Sequence, residues 1–256
     1  MNIFLSVGHS ILKSGSYTSA DGRKYGGVLE YEYCKELGKK VGNWLLAAGH
    51  DVNLVICPER QFTSSSQEKD YKLTLENRGS YDLACELHLN ASNGQASGCE
   101  VYYKTDSGKL FADRVQNKLA QYFANRGAQK RTDLYILNGT RAPAILVESF
   151  FCDSAGDCAK AGSLGYDAIG KAIAEGIHGS AISSGNTAIS GGYLVQITDA
   201  ALNYRSGPGT EYSINGAIKD QGIYTIMEEQ SSSDGGTWGR LKSGAGWINL
   251  KYTKKV

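Results

Sequence analysis

The sequence carries almost no net charge. Its 256 residues hold 27 Lys+Arg against 26 Asp+Glu, a formal balance of +1. Without a polybasic excess, electrostatic capture of nucleic acid or of an anionic membrane is a poor first guess for the organising function. Long apolar runs are missing as well. No stretch approaches the roughly 20 apolar residues of a membrane span, so no stable membrane association is expected. The six cysteines, at 34, 57, 85, 99, 152 and 158, include no CxxC pair. Most sit in apolar strand-like runs such as Val55-Ile56-Cys57 and read as buried free thiols of a protein folded in the cytosol. Cys152 and Cys158 lie in a more polar stretch and are expected nearer the surface. The opening MNIFLSVGH lacks the basic segment and the long apolar core of a secretory signal. It reads as a first strand, and synthesis in the cytoplasm without an export signal is the expectation.

Proline is scarce, at 3 residues, whereas glycine reaches 32 and tyrosine 16. Glycine is thus well above the usual share of about 7%. It follows no period and apolar runs are plentiful, which excludes collagen-like order and bulk disorder. The composition suits tight turns, exposed loops and a polar ligand such as a carbohydrate.

One compositional break divides the chain. Residues 179–192 read GSAISSGNTAISGG, small and uncharged, and such a run cannot bury a core. The expected organisation is one domain over 1–178, a Gly/Ser-rich linker over 179–192 and a second domain over 193–256. The first alternates strands with helices. Strands are predicted at Asn2–Val7, Asp51–Cys57, Asp82–Asn90, Cys99–Tyr103, Leu134–Leu137 and Ala144–Phe150. Helices are predicted at 30–48, 69–78, 110–122 and 166–177. In the first of them Tyr33, Leu37, Val41, Trp44, Leu45 and Ala48 recur at helical spacing before Gly49. Alternation of this kind predicts an α/β fold, a layered and mostly parallel sheet. The second domain shows only short strands, near 193–197, 201–204, 223–228, 237–241 and 246–250. Turn sequences at 206–209 and 234–236 separate them, which predicts a small all-β barrel.

In parallel sheets ligands gather at the carboxyl ends of strands. Three such ends carry unexpected polar residues. Ile3–Val7 runs into Gly8-His9, Leu83–Leu89 contains His88 and is followed by Asn90, and Ala144–Val147 runs into Glu148. Glu30 opens the first long helix after Gly26-Gly27. Two imidazoles and two carboxylates converging on one edge suit a zinc hydrolase. Zn²⁺ takes His nitrogen and carboxylate oxygen and leaves a position for water. A further carboxylate can then serve as general base and acid. Each residue also has a plainer explanation. A histidine can simply end a strand, and a glutamate in a first helical turn complements the macrodipole. Glu148 resists that treatment, because four apolar residues precede it and buried carboxylates are costly unless paired or ligating. His50, beside Gly49, reads as a surface residue at a helix end. His178, in the last helical turn, complements the dipole there.

Taken together, Val7-Gly8-His9, Glu30 before an amphipathic helix, Glu86-Leu87-His88-Leu89-Asn90-Ala91 and Val147-Glu148-Ser149-Phe150-Phe151 resemble the zinc-dependent N-acetylmuramoyl-L-alanine amidases. The likeness is to the branch found in clostridial phage endolysins. It implies a mixed, mostly parallel sheet flanked by helices and one Zn²⁺ per catalytic domain, with His9, Glu30 and His88 as ligands and Glu148 as the catalytic acid/base. Glu30 is preferred over Glu32, which would leave a different side of the helix. Glu86 shares a strand face with His88 and is a candidate for steadying a ligand from behind. Asn90 is a candidate for touching substrate or shaping the strand-end loop.

The second domain has its own resemblance. Leu202-Asn203-Tyr204-Arg205-Ser206-Gly207-Pro208-Gly209-Thr210 and Gly246-Trp247-Ile248-Asn249 are similar to bacterial SH3-like domains, many of which bind cell-wall peptides or glycans. The implied protein is an endolysin. It is made in the host cytoplasm, acts at the wall after release, and cleaves the peptidoglycan of a Gram-positive, clostridial wall. Two other readings stand beside it: a zinc peptidase cutting within the stem or cross-link, and a non-catalytic wall-binding protein.

Overall fold

A computed structural model describes residues 1–183, 192–232 and 235–256. The chain divides into two compact units, Met1–Ser184 and Gly185–Val256. Most of the expected linker, residues 184–191, and part of the expected turn at 234–236 lie outside the described residues.

The first unit is built on six strands: β1 (Asn2–Val7), β2 (Asp51–Val55), β3 (Leu83–Asn90), β4 (Cys99–Tyr103), β5 (Asn125–Lys130) and β6 (Ala144–Phe151). Their order is β2-β1-β3-β6-β4-β5. The first four in that order run parallel, β4 is antiparallel to β6, and β5 is parallel to β4. The sheet is therefore mostly parallel, as the alternation predicts, and it is mixed and flanked by helices, as the resemblance implies. Five helices are α1 (Glu30–Ala47), α2 (Ser65–Arg78), α3 (Asp106–Leu119), α4 (Tyr135–Gly139) and α5 (Ala155–His178), the last broken at Gly165 (φ +74°). That break is why helical periodicity in the sequence starts only at Tyr166.

Alternation along the strands sorts the two faces. Phe4, Ala84, Leu146 and Tyr102 pack with Ile136 and Leu137 of α4 and with Tyr71, Leu73 and Leu75 of α2. On the other face Gly38 of α1 lies against Val7 and Leu87. With both faces covered, the central strands read as unbroken apolar runs. Ile3, Phe4, Leu5 and Val7 are all fully buried, each worth about 1.5–3 kcal/mol of transfer free energy. Helix α1 ends as the sequence suggests. Gly49 takes φ +81°, and the N–H groups of Gly49 and His50 return to Leu46 and Leu45.

Four readings of the sequence are corrected. Leu134–Leu137 is not a strand: Tyr135–Gly139 is a short helix whose Ile136 and Leu137 are buried. An apolar run of four cannot separate the two states by periodicity. Cys152 is buried, because the loop that holds Gly22 and Gly27 packs on its carbonyl. His50 is buried too, its Nε2 3.0 Å from His178 Nδ1. Strand β5 (NRGAQK) was not expected, since its exposed, polar edge carries no apolar alternation. Residues just beyond α5 stay with the first unit: Ile182 is buried and its N–H donates to Glu175 Oε1 at 3.1 Å.

In the second unit seven antiparallel strands form one sheet: β7 (Tyr193–Ile197), β8 (Leu202–Arg205), β9 (Ile214–Ile218), β10 (Ile223–Ser231), β11 (Thr237–Leu241), β12 (Trp247–Asn249) and β13 (Thr253–Lys255). The order is β13-β7-β10-β11-β12-β8-β9. Val195, Ile197, Leu202, Ile218, Ile226, Leu241 and Ile248 make its core. Strands β9 and β13 escape the sequence because both are short and largely exposed. Among the described residues no helix is long and apolar enough to cross a membrane.

Candidate metal centre

His9, Glu30 and His88 meet at the carboxyl edge of the sheet, with donor atoms all within 4.8 Å of one another. Each arrives by a different route. His9 follows β1 through Gly8 and adopts φ +65°. For a residue other than glycine this left-handed conformation costs about 1–3 kcal/mol. The following residue is firmly tied down, which offsets that cost. Ser10 N–H donates to Thr18 Oγ1 at 3.0 Å, and the hydroxyls of Ser10 and Thr18 both donate to the buried carboxylate of Glu68 on α2. Glu30 opens α1. Its Oε2 accepts from the Ala20 N–H at 2.9 Å and its Oε1 from the Leu89 N–H at 3.2 Å. His88 stands on β3 with Nδ1 2.9 Å from Glu30 Oε1, while His9 Nε2 is 3.3 Å from the same oxygen. The other helix-opening acid, Glu32, turns outward to Tyr17 and Lys35.

The electrostatics keep the carboxylate of the set ionised and leave His88 a proton that a metal would displace. Burial alone would raise Glu30, but hydrogen bonds from His88 and His9 hold its carboxyl well below the usual range. Burial likewise opposes a charged His88, yet the carboxylates of Glu30 and Glu86 on its two nitrogens push it up to about 10. Once the His88 proton is displaced, the cluster offers a cation two nitrogens and one carboxylate oxygen. Imidazole and carboxylate donors together suit zinc, so the residues present fit such an ion.

Glu148 lies on β6, level with His88 on β3 and with Glu100 on β4. The two carboxylates differ. Glu100 is fully partnered: Asn90 Nδ2 and Gln129 Nε2 donate to it, and Arg126 Nε is 3.4 Å away. Glu148 Oε2 is buried with no hydrogen-bond partner. Burial, opposed by His88 and reinforced by Glu30 and Glu100, pushes Glu148 up to about 7. That is where an acid/base catalyst is most useful at neutral pH.

Residues 3–179 match the family model described as N-acetylmuramoyl-L-alanine amidase. The chain belongs to that family. The catalytic domain of the CD27L endolysin targeting Clostridia Difficile is 48% identical, with a TM-score of 0.69, covering 72% of this chain and 99% of that one. The N-acetylmuramoyl-L-alanine amidase AmiC2 of Nostoc punctiforme is 27% identical, with a TM-score of 0.57, covering 69% and 94%. The N-acetylmuramoyl-L-alanine amidase LytC of Bacillus subtilis is 29% identical over 181 residues, which are 68% of this chain. The chain spans only about a third of LytC, 34% of its length.

In this member of the family the remaining candidates fall just outside the three donors. Glu86 is completely buried behind His88, with Oε1 2.9 Å from His88 Nε2. Asn90 shapes the strand-end loop, donating to Glu100 and accepting from the Ala91 N–H at 2.9 Å. Sequence reasoning passed over Lys72, Glu68, Tyr135 and Glu100. Three of them lie on α2 and α4, and α2 turns a charged stripe of Glu68, Lys72 and Glu76 inward. An inward charged stripe leaves no amphipathic pattern to detect.

Proposed function

We propose that the first unit hydrolyses the amide between the lactyl group of N-acetylmuramic acid and L-alanine of the peptidoglycan stem peptide. One Zn²⁺ per catalytic domain is held by His9, Glu30 and His88, and Glu148 is the acid/base. The observation that carries this reading is the half-buried Glu148, its Oε2 buried and unpartnered, beside His88 in an amidase-family chain. When bound, zinc supplies a Lewis acid that polarises a carbonyl and acidifies water. Every other step belongs to side chains. Glu148, with a proton affinity near neutrality, takes the proton of the attacking water and delivers it to the departing amine nitrogen. Glu30, steadied by the Ala20 and Leu89 N–H groups, remains ionised and keeps the two imidazoles oriented. The hydroxyl-tied turn at Ser10 keeps His9 in place through the cycle.

The second unit serves as an SH3-like wall-binding domain, and the chain acts as an endolysin on a clostridial wall. It is made in the cytoplasm and reaches the wall after release. Support comes from the 48% identity to the CD27L catalytic domain and, in residues 193–256, from seven Tyr and Trp side chains, five of them on the strands of an antiparallel sheet. Tethering by a second domain raises local concentration at a polymer surface.

Digestion of isolated clostridial walls tests the reading. An amidase frees new L-alanine amino termini and leaves glycan bare of peptide. Products with peptide still attached to muramic acid would instead mean cleavage within the stem or cross-link.

A further inference from the structure

Lys72 is 2% exposed and Glu86 is fully buried. Their charged atoms are 2.8 Å apart, Lys72 Nζ to Glu86 Oε2. A charge buried alone is costly, so each of these residues requires the other. The pair is also joined to both histidines of the metal centre. Lys72 Nζ donates to the Val7 carbonyl at 3.2 Å, at the end of the strand that delivers His9. Glu86 takes Ser6 Oγ–H at 3.1 Å and the Tyr135 hydroxyl on the same Oε2 that faces Lys72. With Oε2 saturated and anchored, Oε1 stands 2.9 Å from His88 Nε2. The other ring nitrogen, Nδ1, faces Glu30. A histidine that gives one ring N–H to a carboxylate offers the opposite nitrogen as ligand.

We infer that Lys72 is a positioning residue of the metal centre. Through Glu86 it fixes the ring of His88, with Nε2–H held from behind and Nδ1 presented to the ion. Through the Val7 carbonyl it ties the same arrangement to the strand end that carries His9. Helix α2, which supplies no ligand, thereby sets the geometry of two of them. One turn earlier its Glu68 grips Ser10 and Thr18 beside His9, so both supports come from one inward stripe. The inference rests on the reading of His9, Glu30 and His88 as metal ligands.

Zinc affinity of the full-length chain, measured by competition with a chromogenic chelator, tests it together with the visible spectrum of the Co²⁺-substituted protein. Lys72→Met is expected to weaken zinc binding by about 10–100-fold and to alter the Co²⁺ bands. Unchanged affinity and bands, with only a lower melting temperature, would make Lys72 a purely structural residue and overturn the inference. Two charge-neutral double variants decide the matter if the single variant does not fold. Lys72→Met/Glu86→Gln keeps an oxygen to accept the His88 Nε2–H and should bind zinc within about tenfold of the parent. Lys72→Met/Glu86→Leu has no acceptor and should bind a further 10–100-fold more weakly. Equal affinities for the two doubles overturn the inference while leaving the ligand assignment standing. A parent chain that takes up no zinc overturns both.

Discussion

Gly8 backs directly on to the ring of His88. A Cβ built on Gly8 would come within 2.2 Å of His88 Cε1, far inside van der Waals contact. The backbone of one candidate ligand's strand end therefore fixes how closely the other ring can approach. Gly8→Ala should leave the fold intact by circular dichroism while lowering zinc affinity and wall-lytic activity by at least tenfold. Parent-like affinity would mean that the ring of His88 can move without consequence.

Glu148→Gln should reduce kcat by about 10²–10⁴-fold, the usual worth of a positioned acid/base, with zinc content unchanged. In the parent the acid limb of the kcat/KM profile should have its midpoint above the ordinary glutamate value of about 4.3 and no higher than about 7. Activity rises with pH across this limb, because the base must be deprotonated. The sign reverses for stability. A buried carboxyl raised in the folded state binds more protons there than when unfolded, so stability falls as pH rises from about 4.3 toward 7. Metal-free Glu148→Gln should consequently melt above the metal-free parent at pH 8 and level with it near pH 4.

Exhaustive chelation should abolish wall lysis and lower the melting temperature, since an ion that binds only the native state stabilises it by mass action. Adding zinc back should restore both. Full activity in metal-free protein would remove the zinc from the mechanism.

His50 sets a second pH dependence, remote from catalysis. Burial, with His178 against its ring, lowers its folded-state value to about 4. The unfolded chain then binds more protons between pH 4 and about 6.5, so stability declines as pH falls through that window and is unaffected above it. Thermal melts of His50→Gln between pH 4.5 and 8 should show a flatter profile than the parent.

Wall attachment should tolerate salt. Residues 193–256 carry seven Lys+Arg and six Asp+Glu, so no net field draws them to a charged polymer. Cosedimentation of the slow Glu148→Gln variant with walls should change little between 0.05 and about 0.3 M salt, beyond which a Debye length is only a few ångströms. A steep loss across that range would point to ion pairing instead.

The gathering of His9, Glu30, His88 and Glu148 at one sheet edge was legible because each ends a strand or opens a helix at a predictable place; the roles proposed for them came from the resemblance. Their supports were not legible. Lys72 and Glu68 look like ordinary surface charges until Glu86 and Ser10 are seen against them, 14 and 58 residues away along the chain. Long-range pairing leaves no local pattern. The same limit hid β5, β9 and β13, edge or terminal strands whose exposure removes alternation, and turned Leu134–Leu137 into a false strand. Central strands, buried on both faces, announced themselves.

Ile182 gives the first unit a practical boundary. Its buried side chain and its N–H bond to Glu175 lie beyond the last turn of α5, past the cap at Gly179. A chimera that joins a foreign targeting module at residue 178 would cut this anchor away and leave Glu175 short of a donor. A junction placed after Ser183 retains it, so the first unit can be recombined with foreign modules without fraying its final helix.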